Sequence, residues 1–358
     1  MKILVSGSGV AGAVLAHFLG RAGADVTVVE RAPGLRTGGQ PIDIRGAALT
    51  VVESMGVLEE VRGLRTTPRG MSMVDRDGNE LMRDTEATIS GGRIDGPDIE
   101  IMRGDLVSVL ATASPARRVY GDSIATLTED GEVTFEGGGR DRYDYIIGAD
   151  GLHSRVRALA FGPEPRYIHH LGQYISVFTT DNFLGLDHWQ TWFNEGDAGG
   201  VAFSDRDRAK MIVNLGFESA PIAYDHRDVE QQKRLIEERC GRLWEAPRLI
   251  EAMWKADDFS FGPIAQVRMD RWSTGRVALV GDAGYCASPL SGQGTSLAMV
   301  GAYVLAEELL AGPEGAGERY ERRMRPFVAA NQALATENPG GPAPMESVQR
   351  AANAISLG

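Results

Sequence analysis

The first thirty residues alternate apolar runs of strand length with one apolar pattern of helical spacing. Residues 3–5 and 26–29 are short runs of apolar or β-branched residues, and the apolar residues between 14 and 19 recur as on one helix face. This alternation predicts a strand–helix–strand unit, the usual beginning of a parallel α/β sheet. Apolar runs at 143–147 and 277–280 have the same character and predict further buried strands.

Helical periodicity and turn residues predict most of the remaining elements. Amphipathic patterns predict helices at 47–54, 104–113, 229–240, 248–254, 295–310 and 318–334. Hairpins are predicted at 71–83, with Asp77-Gly78 as the turn, and at 124–135, with Asp130-Gly131 as the turn. Residues 338–344 are rich in proline and glycine and predict a hinge. The last dozen residues predict a short amphipathic helix or a frayed tail.

Residues 165–217 have a different hydrophobic pattern from the residues before them, because short strand-like runs are separated there by polar turns. The runs lie at 174–179, 190–193, 201–204 and 211–217, and another strand is predicted at 259–267. The predicted fold class is therefore α/β, a Rossmann-like nucleotide-binding domain with an inserted, mostly antiparallel sheet and C-terminal helices. The predicted domains are a discontinuous nucleotide-binding domain (1–70, 98–164 and 259–312), a sheet domain (71–97 and 165–258) and a helical segment (313–358).

Composition and charge narrow the class of protein. The chain has 358 residues, a formal net charge of -12 and two cysteines, which disfavours a nucleic-acid partner and a disulfide framework. Met1 and Lys2 run directly into the first strand, so we expect no signal peptide. Glu307 and Glu308 interrupt the longest apolar stretch, so we expect no membrane span. These features favour a cytoplasmic protein and leave its oligomeric state open.

A glycine motif of the form G-x-G-x-x-G joins the first strand to the first helix. Its residues are Gly7, Gly9, Val10, Ala11 and Gly12. Glycines at these positions let the backbone approach a pyrophosphate, which the amides of the helix N-terminus attract. Glu30 ends the second strand, where a carboxylate can accept hydrogen bonds from ribose hydroxyls. The arrangement predicts a bound dinucleotide.

No second strand-coupled motif of this kind follows residue 12, since Gly137 to Gly139 lie in a predicted loop. One dinucleotide is therefore expected in a dedicated fold, and any second nucleotide is expected to dock without one.

Two later segments carry further polar residues at strand ends. The strand at 143–147 leads into a D-G-x-x-S-x-x-R pattern formed by Asp150, Ser154 and Arg157. The strand at 277–280 leads into Gly281 and Asp282, and a loop then opens the helix at 295–310. The singled-out residues of that loop are Pro289, Gly292, Gln293, Gly294 and Thr295.

Together the three motifs resemble the single-component FAD-dependent aromatic hydroxylases, which have the para-hydroxybenzoate hydroxylase fold. In size and motif order the chain is similar to the tetracycline-modifying and actinobacterial antibiotic-tailoring monooxygenases, over roughly residues 1 to 335. It departs from the family pattern at Ser296, where the family has Asn, and at Gly301, where it has Asp. We also expect it to lack the thioredoxin-like C-terminal domain of some relatives.

The resemblance implies how the FAD is held. The glycine motif takes the pyrophosphate, Glu30 and Arg31 contact the adenosine ribose, and Asp282 accepts from a ribityl hydroxyl. Arg103, at the entrance of the helix at 104–113, reaches the ribityl or phosphate region.

Further roles implied by the resemblance concern the flavin ring and the reductant. Asp150 and Arg157 support the pyrophosphate and nicotinamide region, and Asp43 and Arg45 lie near the flavin and the path of the nicotinamide cofactor. The backbone amides of Gly292–Thr295 face the pyrimidine edge of the flavin, where the reduced ring becomes anionic.

The function that the resemblance implies is hydroxylation of an aromatic or polycyclic small molecule, of polyketide or antibiotic type. NADPH or NADH serves as a transient reductant, dioxygen as the oxidant and a flavin hydroperoxide as the reactive species. No protein general base is identified. The inserted sheet is expected to line the substrate cavity, and the candidate substrate-binding residues are Gln190, Trp192, Phe203, Met211, Val213 and Pro289.

Other classes remain open or are disfavoured at this stage. An FAD-dependent oxidase or dehydrogenase on the same fold is the main alternative, and a non-catalytic FAD-containing binding protein is the second. The W-x-W-x-I-P signature of flavin-dependent halogenases is not formed by Trp189 and Trp192. No metal is expected, because the adjacent His169 and His170 point to opposite faces of a strand.

Overall fold

The structure is a computed structural model and describes residues 1–35, 38–89, 92–338 and 343–357. The strands, in chain order, are β1 Lys2–Ser6, β2 Asp25–Glu30, β3 Pro41–Ile44, β4 Gly70–Val74, β5 Glu80–Asp84, β6 Ala87–Thr88, β7 Gly92–Arg93, β8 Ile99–Met102, β9 Arg117–Tyr120, β10 Ile124–Leu127, β11 Glu132–Phe135, β12 Arg140–Arg142, β13 Tyr145–Gly148, β14 Ile168–Asp181, β15 Trp189–Glu195, β16 Ala198–Phe203, β17 Lys210–Glu218, β18 Ser260–Val267, β19 Ser273–Thr274 and β20 Val277–Leu279.

The helices follow the same chain order. They are α1 Val10–Arg21, α2 Ala47–Ser54, α3 Leu58–Gly63, α4 Arg103–Thr112, α5 Arg155–Ala160, α6 Val229–Cys240, α7 Ala246–Lys255, α8 Asp282–Tyr285, α9 Gly294–Ala311, α10 Ala316–Glu337 and α11 Met345–Ala352, with short 3₁₀ turns at Glu164–Arg166 and Pro289–Ser291. Each predicted helix is found within a few residues of its predicted bounds. The predicted hinge at 338–344 falls mainly on 339–342, which lie outside the described residues.

Six strands form the nucleotide-binding sheet in the order β19-β20-β13-β1-β2-β9. All neighbours are parallel except β19 and β20, so the predicted parallel strands are confirmed. In register, Val5 lies between Ile147 and Val28. The carboxyl ends of β1, β2, β13 and β20 therefore meet at one edge, where the loops after them can share a ligand.

A two-stranded ladder that the sequence pattern did not predict lies beside this sheet. Strands β3 and β8 pair antiparallel, with Asp43 opposite Glu100. The ladder fixes the loops that follow it, and these carry Arg45 and Arg103. Because the strands are antiparallel, these two residues lie at opposite ends of the ladder, Arg45 beside Asp98 and Arg103 beside Gln40.

The inserted sheet has seven strands in the order β18-β14-β17-β16-β15-β4-β5, antiparallel except for β15 with β4. The predicted mostly antiparallel sheet is confirmed. One boundary changes: β18 pairs with β14 along most of its length, so residues 260–267 belong to this sheet and not to the nucleotide-binding unit, as the boundary at 259 had assigned them.

Helices α6 and α7 cover one face of the seven-stranded sheet. On β17 the alternate residues Met211, Val213, Leu215 and Phe217 are buried in a core with Ile236 of α6. The opposite face we call the open face; it carries Gln190 paired with Phe203, and Phe203 paired with Ile212. Because side chains alternate along a strand, a residue on one face cannot serve the other.

Helix α9 lies in the centre of the nucleotide-binding domain. It packs against α1, α2 and α10, and its side chains from Leu297 to Leu309 belong to the main core. With 18 residues it is long and apolar enough to cross a membrane, and 61% of it is buried inside the protein. The expectation that Glu307 and Glu308 leave no segment of that length is therefore wrong, and the burial agrees with a core helix.

The pH dependence of folding stability is predicted to include a contribution from His17 on α1. Its ring is buried and Nδ1 donates to Ala113 O at 2.8 Å; burial lowers the pKa of His17 below 6.5, against the opposing effect of that hydrogen bond. Below pH 6.5 the unfolded chain binds this proton more readily, so stability is complete above that pH and falls as the pH drops.

His17→Gln should therefore lose less stability than the wild type between pH 7 and pH 5, by up to ~1.4 kcal/mol per pH unit. Urea unfolding of both proteins across that range measures the difference. If the unfolding free energies of the two proteins changed with pH in the same way, His17 would not contribute to the pH dependence.

Candidate functional site

The glycine motif forms a tight loop above the N-terminus of α1. Gly7 has a φ of +107°, and a Cβ there would lie 2.3 Å from Ala149 O. A Cβ on Gly12 would lie 2.0 Å from Gly7 O, whereas a Cβ on Gly9 would meet nothing within 4 Å. Two glycines are thus required by the fold, and the exposed Gly9 leaves open the space above the helix where the pyrophosphate is expected.

Glu30 lies beside this loop at the carboxyl end of β2. Its carboxylate accepts from Ser8 N at 2.9 Å and from Ala32 N at 2.8 Å. These bonds hold the side chain half-buried against the glycine motif, while the neighbouring Arg31 is exposed. The acidic group is therefore placed where the sequence predicts a ribose contact.

Asp150 has a structural role that the motif alone does not reveal. Its carboxylate accepts from Ser154 Oγ at 2.5 Å and from the amides of Arg155 and Val156 at 2.8 and 3.1 Å. Burial raises the pKa of Asp150, and these hydrogen bonds oppose the rise. The side chain stabilises the N-terminus of α5, at the sheet edge that also bears the glycine loop.

Arg157 connects the two later motifs. Its guanidinium is fully buried and donates to Ala283 O at 3.0 Å, to Leu152 O at 2.6 Å and to Glu164 Oε2 at 3.0 Å. Burial lowers the pKa of Arg157, and Glu164 opposes this effect. The geometry makes Arg157 a positioning residue that holds the Asp282 loop from within the protein.

Asp282 begins α8 directly after β20 and Gly281, which has a φ of +66°. A Cβ on Gly294 would lie 4.0 Å from Asp282 Oδ1, so the carboxylate faces the loop that opens α9. Burial raises the pKa of Asp282, and a hydrogen bond with Cys286 opposes the rise. This carboxylate can accept a hydroxyl donor from a ligand in that loop.

Gln293 gives the clearest sign that this loop holds a ligand. Its side chain is fully buried, yet neither amide atom finds a hydrogen-bond partner among the described residues. An unpaired buried amide is costly, about 1–3 kcal/mol per group, which a polar ligand would relieve. Beside it Gly292 is left-handed, with a φ of +62°, and α9 begins with Gly294 and Thr295.

These features fit FAD. The open Gly9, the acceptor Asp282 and the unpaired Gln293 amide lie on loops at one edge of the sheet, and two helix N-termini supply amides for negative charge. Pro289 is exposed on the 3₁₀ turn that precedes Gly292, so it can border the cavity.

Arg45 is buried in a cluster with two carboxylates, of which the sequence pattern had indicated one. It contacts Asp43 at 2.9 Å and Asp98 at 3.4 Å, and Asp98 also accepts from Gln349 of α11 at 2.8 Å. Burial raises the pKa of Asp43 and Arg45 opposes the rise. The backbone N–H of Arg45 donates to Ser296 Oγ at 3.1 Å, so the cluster adjoins residues 289–295, which we call the flavin loop.

The sequence around Asp98 and Gln349 does not indicate a place beside Arg45, because only the β3–β8 ladder and the docking of α11 bring them there. Arg103 starts α4 and lies beneath the loop before β3, where a Cβ on Gly39 would lie 2.7 Å from Arg103 Nε.

The predicted substrate residues divide between the two faces of the inserted sheet. Gln190, Trp192 and Phe203 lie on the open face, as their register shows. Met211 and Val213 do not: they are buried under α6 and α7, so their assignment to the substrate is corrected. The strand period places Ile212 and Asn214 on the open face instead.

The open face is turned toward the nucleotide-binding domain. A small cavity between them is lined by Pro41 and Glu100 from the β3–β8 ladder and by Gln190 and Phe203 from the sheet. The cavity marks where the open face meets the nucleotide-binding domain.

Asp282→Ala is expected to weaken FAD binding about tenfold or more, because it removes a carboxylate acceptor and leaves a ligand hydroxyl unpaired. Flavin content after purification and titration of the apoprotein with FAD measure the effect. Asp25→Ala, at an exposed strand start, is the matched control. Unchanged affinity in Asp282→Ala would remove this residue from the cofactor site.

Comparison with known proteins agrees with this geometry. Residues 1–333 match the family described as FAD binding domain. The chain is 47% identical to an uncharacterized protein of Mycobacterium tuberculosis, covering 99% of this chain and 98% of that protein. It is 41% identical to a flavin-dependent monooxygenase from an unknown prokaryotic organism, covering 93% and 88%. The crystal structure of tetracycline destructase Tet(51) superposes with a TM-score of 0.90 at 34% identity, covering 100% and 99%.

A profile match over most of the chain and relatives above 30% identity establish the family. The predicted family resemblance and fold class are confirmed. The chain belongs to the FAD-binding family and is an FAD-dependent monooxygenase of the aromatic hydroxylase type.

Proposed function

We propose that this monooxygenase uses NADPH or NADH to hydroxylate an aromatic or polycyclic small molecule of polyketide or antibiotic type. The observation that carries the proposal is the open face of the inserted sheet, with Trp192 and Phe203, which meets the β3–β8 ladder of the nucleotide-binding domain at Pro41 and Glu100. Large flat side chains on such a face suit a planar ring system. The similar structures are those of tetracycline destructases, which are named for a polycyclic compound, and this supports the class.

The residues of the chain prepare the site for this chemistry. When bound, FAD supplies the electron transfer from the nicotinamide and the activation of dioxygen. The amides at the N-terminus of α9 stabilise negative charge beside Gln293, and the apolar open face excludes water from the substrate. Arg157 keeps the Asp282 loop in place through its bond to Ala283 O. Substrate positioning, rather than a protein base, is the main contribution of the chain.

The reductant is proposed to dock transiently. Among the described residues one dinucleotide fold is formed, by β1, α1 and β2, and this fold would hold FAD. The buried cluster of Arg45 with Asp43 and Asp98 adjoins the flavin loop through Ser296. A nicotinamide that approaches this loop would be oriented by residues around Arg45, consistent with the family resemblance.

The test uses the purified holoenzyme, ¹⁸O-labelled dioxygen and a panel of phenolic polyketides that includes a tetracycline. Anaerobic mixing with NADPH and with NADH first measures which reduces the flavin. Mass spectrometry should then find one labelled atom in the product, with the second leaving as water. A product without label would support the oxidase or dehydrogenase alternative, and absence of flavin reduction by both nucleotides with every ligand would support a binding protein.

A further inference from the structure

Among the residues that the structure describes, those at the centre of the open face carry no charged side chain. On its four central strands, β4, β15, β16 and β17, the residues on this face alternate with those that face α6 and α7. Lys210 and Glu218 lie on it, at the two ends of β17, and between those ends the polar side chains on the four strands are the amides of Gln190, Asn194 and Asn214. A ligand over the centre of the face therefore meets apolar surface and neutral amides.

Asn214 differs from the other two amides. Its Oδ1 is buried and has no hydrogen-bond partner among the described residues. Its cross-strand neighbours are Val201 and Val177, which offer no side-chain donor. Gln190 is already oriented, since Trp192 Nε1 donates to its Oε1 at 3.2 Å. A buried carbonyl oxygen without a donor is destabilising, so a ligand that donates a hydrogen bond is favoured there.

None of the described residues that line the small cavity with Gln190 is a lysine or an arginine that could bind an anion. Arg45 is held by the carboxylates of Asp43 and Asp98, so its charge is already compensated. Glu100, which lines the small cavity with Gln190, accepts from Thr66 Oγ1 at 2.6 Å and is itself acidic. A carboxylate on the substrate would lose its hydration without gaining a cation.

We propose that Asn214 is a specificity-determining residue and that the substrate is an uncharged aromatic ring system with a hydroxyl or N–H group that donates to Asn214 Oδ1. This rests on the proposed function, because it assumes that the open face binds the substrate. It adds that anionic aromatic acids are rejected and that the polar group of the substrate, not only its ring area, selects it.

Binding of three bicyclic probes to the FAD-loaded enzyme tests the proposal. The probes are 2-naphthol, 2-methoxynaphthalene and 2-naphthoate, which share one ring system and differ in donor and charge. Perturbation of the flavin absorbance gives each Kd without turnover. The wild type should bind 2-naphthol on the order of tenfold more tightly than either other probe, as expected for one buried hydrogen bond.

Asn214→Leu should reduce the preference for 2-naphthol over 2-methoxynaphthalene to about twofold or less, since no acceptor remains. Asn214→Lys should raise the affinity for 2-naphthoate by placing a cation on the face. Asn353→Leu is the matched control, because Asn353 is an exposed amide at the end of α11 and not on the open face, and it should keep the wild-type preference. Flavin content and thermal unfolding show that each variant is folded.

Undiminished preference in folded Asn214→Leu, tight binding of 2-naphthoate by the wild type, or binding of none of the three probes would each overturn the proposal. These outcomes are independent of oxygen insertion. If the labelled-oxygen test fails while Asn214 still selects 2-naphthol, the proposed reaction is wrong and the substrate site stands.

Discussion

Replacement of Gly12 by alanine is expected to give a protein that holds almost no FAD. The new Cβ would lie 2.0 Å from Gly7 O, a backbone atom that cannot rotate away. The loop would have to move off the N-terminus of α1, which breaks the fit between β1 and the helix. We expect unfolding to become easier by about 3 kcal/mol and flavin content to fall below about a tenth of wild type.

Two other glycines make this result interpretable. Gly9→Ala adds a methyl group that meets no protein atom within 4 Å, at a residue with extended backbone, φ -78° and ψ -164°. Its apoprotein should unfold as the wild type does, while its FAD affinity falls because the methyl group enters the ligand space. Gly63→Ala, in α3 with no neighbour within 4 Å, should change neither property. Normal FAD content in Gly12→Ala would contradict the loop geometry.

Arg157→Met is expected to cost about 3 kcal/mol of unfolding free energy and to lower FAD content with it. The change leaves Ala283 O and Leu152 O without their donor and removes the buried partner of Glu164. Because Ala283 follows Asp282, the loop that faces the flavin loses its internal support. Urea unfolding of the apoprotein measures the first effect and FAD titration the second.

The control for Arg157 is Arg140→Met. Arg140 is exposed and its contact with Glu132 is 4.0 Å long, so its loss should change stability by less than about 0.5 kcal/mol. If Arg157→Met matched this control in both measurements, Arg157 would not be the connection between the two motifs.

Much of the cofactor site could be predicted from the sequence, because its motifs are local. The glycine motif, Glu30 and the segment from Gly281 to Thr295 each follow directly after a strand, and parallel strands bring their carboxyl ends together. The positions of strands and helices could also be predicted, since apolar residues recur at a different spacing in a strand and in a helix. These signals need no knowledge of distant contacts.

The face of a strand is harder to predict, as the inserted sheet shows. Met211 and Val213 looked like cavity residues by their side chains, but the alternation on β17 and the docking of α6 and α7 put them in the core. A one-residue difference in register exchanges the two faces. Only the packed helices decide which face is closed.

The sequence by itself determined the nucleotide-binding unit and the candidate FAD-binding motifs, because backbone conformation and strand order follow from short-range patterns. The tertiary structure alone decided that β18 joins the inserted sheet and that Asp98 and Gln349 meet Arg45. It also gave Asp150 and Arg157 their places within the protein. These features depend on contacts between segments up to 251 residues apart. The energies of such contacts come from the burial and pairing of side chains, which the local sequence pattern does not predict.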